Sequence, residues 1–169
     1  MGFAGIRYAA VTLLKSATIH LESWGMRNDV DCETLLKSLV FMADGVSTTI
    51  GANGARATMR LAGHRAAFNL LEALPLQLEV AEAIERAGLV MVELGFVDGV
   101  KRLDATHLAV SGNAVIGMIQ MLGVEPSRHP ACYYTIGLFE GFVHVLSRVY
   151  VSIVHHEIRD GAEIWILAE

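Results

Sequence analysis

Apolar residues recur at helical spacing through the first half of the chain, and Val- and Leu-rich runs replace that pattern in the second half. A first helix is predicted over Phe3 to Trp24, where Ile6, Ala10, Leu13, Leu14, Ala17 and Leu21 form one stripe before Gly25. Asp31 is a good N-cap for a second helix reaching about Ile50, with Leu35, Leu36, Leu39, Met42 and Val46 on its apolar side. Gly51 and Gly54 mark a break. A third helix then spans about Ala55 to Leu74, in which Ala62, Gly63, Ala66 and Ala67 allow close backbone approach. Pro75 resets the chain, and Leu78 to Ala87 read as a fourth helix with Glu79, Glu82 and Glu85 toward water.

After Gly88 the period changes. Leu89 to Phe96 and Leu103 to Val110 flank the turn dipeptide Asp98-Gly99 and predict an antiparallel pair. Asn113 to Leu122 fits either a short helix or a buried strand. Tyr133 to Val149 predicts a fifth helix on Ile136, Phe139, Val143 and Leu146, and Val151 to His156 with Ala162 to Leu167 predict a hairpin around Arg159-Asp160-Gly161. Helices, a hairpin, a helix and a second hairpin imply an α+β fold: one domain in which an antiparallel sheet of about four strands packs against helices.

Composition narrows the function. The 169 residues suit one domain with a single sizeable core, but 53% are apolar and only 18% charged, which leaves little charge to cover a monomer. A homodimer or an apolar pocket is therefore expected. The net charge of -5 and 13 scattered Lys and Arg argue against nucleic acid as a direct partner. Arg7, Lys15 and His20 interrupt the apolar N-terminal stretch, against a secretory signal, and Glu140, His144 and Arg148 do the same for a membrane span between Tyr133 and Val154. The expectation is a cytoplasmic protein whose cysteines, Cys32 and Cys132, stay reduced.

The stretch Ala131-Cys132-Tyr133-Tyr134, the glycines Gly137 and Gly141, the strand from Val151 to Glu157 and Gly161 before the last strand form an ordered pattern. In these features the chain resembles the 4-vinyl reductase or hydrocarbon-binding domain family, whose fold is shared with subunits of the eukaryotic transport-protein-particle tether. The resemblance covers residues 54–169 and is clearest in the last forty. It implies a small antiparallel sheet on helices, often dimeric, enclosing an apolar cavity. Sensor-type relatives often bind zinc through a cysteine placed like Cys132, a glutamate in the following strand and two later cysteines. Here Cys132 and Glu157 match, and no cysteine follows Cys132.

No firm metal site emerges. Cys132, His156 and Glu157 are the candidate zinc ligands, although adjacent strand residues such as His155 and His156 point to opposite faces. His129 and Cys132 are spaced for chelation, but Pro130 intervenes. His64 or His144 is the candidate axial ligand for haem. Cys132 at a helix entrance is either a reactive thiol or a small buried apolar residue. Glu140, His144 and Arg148, one turn apart, read mainly as a solvated face.

Gly51-Ala52-Asn53-Gly54 lacks the rest of a phosphate loop, and no nucleophile elbow is visible. The leading expectation is binding of a small hydrophobic molecule as sensor or carrier, without catalysis, by Phe41, Phe68, Tyr134, Phe139 and Phe142. The alternatives are a protein-protein scaffold or tether and an accessory factor or reductase in tetrapyrrole metabolism.

Overall fold

A computed structural model describes residues 32–71, 77–159 and 162–168. The chain divides into two units, residues 1–34 and 35–169, and the architecture below is that of the second. The helix expected over Phe3 to Trp24, the Asp31 cap, Pro75 and the Asp160-Gly161 turn lie outside the described residues.

Helix α1 (Cys32–Leu71) is interrupted at Gly51, whose φ of 79° and ψ of 164° only glycine adopts cheaply, so the expected break is present. Helix α2 (Val80–Glu93) corrects the sequence reading, because Leu89 to Glu93 continue the helix instead of forming a strand. Its buried residues Ala83, Ile84, Ala87, Gly88 and Met91 keep the helical period. Gly88 is a contact point and not a stop: a Cβ there would lie 2.9 Å from Val100 Cβ. The helix ends instead at Gly95, with φ 73°.

Strand β1 (Gly99–Arg102) pairs antiparallel with β2 (His107–Ser111). The turn between them is not Asp98-Gly99, which leads into β1. Asp104 makes it: its Oδ1 accepts the backbone N–H groups of Thr106 and His107 at 2.8 Å each. Those bonds, that of Thr106 foremost, hold the Asp104 carboxyl at about 2. The ambiguous segment is helix α3 (Ala114–Met121), capped by Asn113, whose side-chain oxygen accepts from the N–H groups of Val115 and Ile116. A 3₁₀ turn (Pro126–Arg128) leads into α4 (Cys132–Ser147), closed by Arg148 in the left-handed region. Strands β3 (Ile153–Arg159) and β4 (Ala162–Leu167) pair antiparallel down to Arg159 opposite Ala162.

The sheet order is β1-β2-β4-β3, antiparallel throughout, so the α+β class and the four strands are as the sequence predicts. Among the described residues no helix is long and apolar enough to cross a membrane. The alternation in β2 and β4 sends Leu108, Val110, Trp165 and Leu167 inward, where they join Ile136, Phe139, Phe142 and Leu146 of α4 and Ala83, Ile84 and Met91 of α2 in one core. The Phe139 and Trp165 rings meet edge to face, 5.1 Å between centroids. Each of these buried large side chains contributes about 1.5–3 kcal/mol. A second cluster joins Val40, Ala43 and Met59 of α1 to α3 and the start of α4.

Between these clusters α1 and α4 cross with almost no side chain between them. A Cβ at Gly63 would sit on the Tyr134 carbonyl oxygen, one at Gly137 on that of Arg60, and one at Gly141 would lie 2.8 Å from that of His64. The small-residue face of α1 thus packs within the chain: Gly63 and Ala67 are buried against α4. Gly137→Ala is expected to lower the unfolding free energy in urea by about 3 kcal/mol, the upper end for overpacking. Gly45→Ala, where a Cβ meets nothing within 4 Å, should raise it by about 0.5–1 kcal/mol. Equal effects of the two would rule out the tight crossing.

Candidate ligand-binding cleft

The crossing sets one turn of α1 beside Glu140 of α4. Glu140 is 3% exposed, which corrects its reading as part of a solvated face. Its carboxylate takes Arg60 in a fork: Arg60 Nε donates to Oε2 at 2.7 Å and Nη2 to Oε1. Nη2 also donates to Ser152 Oγ at 3.0 Å and to the Ile153 carbonyl at 2.9 Å, while the Ile153 N–H donates to Glu140 Oε1 at 2.6 Å. Two helices and the entrance of β3 are tied at one point. The Glu140 hydrogen bonds, opposed by burial, raise Arg60 above its ordinary value.

Arg60 opens onto a cleft of about 260 Å³. Arg56, one turn earlier on α1, shares the lining with Ser127 of the 3₁₀ turn, Tyr133 and Ile136 of α4, and Ile153 to His156 of β3. The Arg56 guanidinium carbon lies 5.6 Å from the Tyr133 ring centroid, and His156 meets the same ring edge-on at 5.1 Å. The register of β3 against β4 shifts between Ile153 and His155, a bulge that brings consecutive residues of one strand to the cleft. Arg60 Nη1, with two N–H groups, has no acceptor among the described residues. Two guanidiniums beside an aromatic ring and aliphatic walls can hold a planar anion.

The residues expected to bind a ligand scatter. Phe41 is 60% exposed on α1, and Phe139 and Phe142 are sealed in the core. Phe68 packs on His64 and His144 at 5.1 and 5.3 Å between centroids, and Tyr134 is half-buried between the two clusters, its phenol pushed up by burial. None of the five lines the cleft. Arg56, Arg60 and Tyr133 do, and only the four-residue spacing of the two arginines hints at a shared face.

The candidate metal ligands are not brought together either. Among the described residues no group of three or more His, Cys, Asp or Glu is arranged to hold an ion. His156 faces inward, its Nδ1 3.3 Å from Glu163 Oε1, and Glu157 is its neighbour on the strand, projecting to the opposite face. His129 is engaged at both nitrogens: Nδ1 accepts the Ala131 N–H at 3.2 Å, which leaves Nε2 to donate to Asp44 at 2.9 Å. His64 and His144 sit 5.7 Å apart in a cluster with Phe68 and Tyr150. Burial first, then the neighbouring His144, lowers the His64 pKa and favours its neutral form.

Cys132 is the first residue of α4, yet the helix dipole does not activate it. The thiol is buried and donates to the Pro126 carbonyl at 3.3 Å. Burial, reinforced by the Glu163 charge, pushes it up to about 12. Maleimide labelling of the native protein at pH 8 should therefore modify exposed Cys32 and leave Cys132 untouched, so that Cys32→Ser becomes unreactive until denatured. Rapid native labelling of Cys32→Ser would refute the buried, protonated thiol.

Comparison of the sequence with known proteins gives no match to any family model and none to a curated protein.

Proposed function

We propose that this protein is a non-catalytic binder, a sensor or carrier, of a small hydrophobic molecule that bears a carboxylate or similar planar anion. The observation that carries the reading is the pairing of Arg60, with Nη1 free of any described acceptor, and Arg56 over the Tyr133 ring in one cleft. The guanidiniums supply the anion's partners, and Ile136 and Ile153 supply apolar contact for the body of the ligand.

Size limits the ligand. A cavity of about 150 Å³ accepts benzene, so the cleft's 260 Å³ suits one ring and its carboxylate. The expected hydrophobic ligand thus acquires an anionic end. Catalysis receives no support from Cys132, the nucleophile nearest the cleft residue Tyr133 in the chain, because its thiol stays protonated.

Benzoate is the simplest probe. Titration calorimetry should show saturable binding that Arg56→Gln and Tyr133→Ala each weaken by about tenfold, a loss of about 1.4 kcal/mol. Neither side chain is part of the Arg60–Glu140 knot; Tyr133 packs against both core clusters, so an unchanged circular dichroism spectrum qualifies Tyr133→Ala for the titration. No saturable benzoate binding, or affinity unchanged in both variants, would refute the cleft reading.

A further inference from the structure

Strand β3 is an outer strand of the sheet: in the order β1-β2-β4-β3 only β4 pairs with it among the described residues. Its free edge can be followed residue by residue. Leu167 donates its N–H to Thr106 at 2.8 Å, on the side of β2, so its partner Ile153 turns its own backbone groups away from β4. There they meet Arg60 and Glu140, which puts the free edge on the side of the cleft. Trp165 and Glu163 repeat the orientation of Leu167 at intervals of two, so their partners His156 and Ile158 also turn N–H and C=O outward. No hydrogen bond from another element reaches those groups among the described residues.

Nothing in the strand blocks that edge: Ile153 to Arg159 contain no Pro and no Lys, and Val154 and His155 are exposed. Arg56 and Arg60 stand beside it, and no Asp or Glu is among the described residues that line the cleft. We propose that the cleft holds the free C-terminus of an extended peptide, which adds to β3 as a further antiparallel strand. This rests on the carboxylate reading of Arg56 and Arg60 and names the molecule that carries the carboxylate. Antiparallel addition puts the end of the peptide at the start of β3, where Arg60 lies, and runs its earlier residues past His156 to Ile158. The α-carboxylate takes the two guanidiniums, an apolar last side chain rests on Ile136 and Ile153, and the peptide backbone pairs with the outward groups of His156 and Ile158. The cleft limits the size of the terminal residue alone, because the rest of the peptide lies along the open edge.

The test titrates the whole chain by calorimetry with N-acetylated Ser-Thr-Val-Val as the free acid, with its C-terminal amide, and with N-acetylvaline. The acid should bind saturably, about tenfold tighter than N-acetylvaline, which has the carboxylate without the pairing backbone, and about tenfold tighter than the amide. Methylating the Thr and Val nitrogens of the peptide removes its edge donors and keeps its carboxylate, and should bring it down to the level of N-acetylvaline. All these changes are made in the ligand, so folding of the protein is not at issue. No saturable binding of the acid, an amide that binds equally well, or N-methylation without effect overturns the proposal. Benzoate separates it from the small-molecule reading: saturable benzoate binding with a peptide no tighter than N-acetylvaline overturns the peptide and leaves that reading standing, and a peptide that meets every criterion without benzoate binding does the reverse.

Discussion

The close crossing of α1 over α4 is the constraint on which the rest of the structure depends. Gly63, Gly137 and Gly141 remove the side chains that would hold two helices at the usual separation of about 8–10 Å. Only at that short range can Arg60 reach Glu140 in a two-pronged hydrogen bond and still hold Ser152 and Ile153. The start of β3 is located by that contact, and β3 in turn brings His155 and His156 to the cleft. Packing therefore comes first, the ion pair second and the binding surface third.

The energetic role of the ion pair is specific to its position. Desolvating a carboxylate and a guanidinium consumes most of their mutual attraction, so a buried pair adds little net stability compared with apolar residues of similar volume. Glu140 is nonetheless satisfied by three hydrogen bonds, two from Arg60 and one from Ile153. Such a pair specifies geometry more than it stabilises. Here it holds a guanidinium at the cleft wall with one nitrogen still able to donate. Glu163 contrasts with it: one oxygen is bonded to Asn113 and the other lies 3.3 Å from His156 Nδ1 without a hydrogen bond.

Much of the fold was legible. The Gly51 break, the last helix and the strands of the final hairpin follow from periodicity and turn residues, whereas the four-strand total comes from counting Leu89 to Phe96 in place of β1. The error at α2 has a local cause, because Gly88 reads as a stop when its purpose is to admit Val100. The displaced first turn has another: Asp104 builds a turn with its own side chain and leaves no Asp-Gly signature. The site was less legible. Glu140 is four residues from His144, which suggests a surface row, whereas its real partner is 80 residues away. Glu163 carried a usable signal, since strand alternation puts it on the face of Trp165, but inward carboxylates are uncommon enough to pass unnoticed.

The most direct test of this account is a double-mutant cycle on Arg60 and Glu140 read out by both urea unfolding and benzoate titration. Arg60→Met alone, which strands Glu140, should cost about 3–5 kcal/mol, while Arg60→Met with Glu140→Leu should recover part of that loss and leave about 1–3 kcal/mol, the cost of the Ile153 N–H that loses its acceptor. The folded double variant should have lost benzoate binding. A double variant that binds benzoate as well as the unaltered protein would contradict the claim that the crossing and its ion pair exist to place a guanidinium at the cleft.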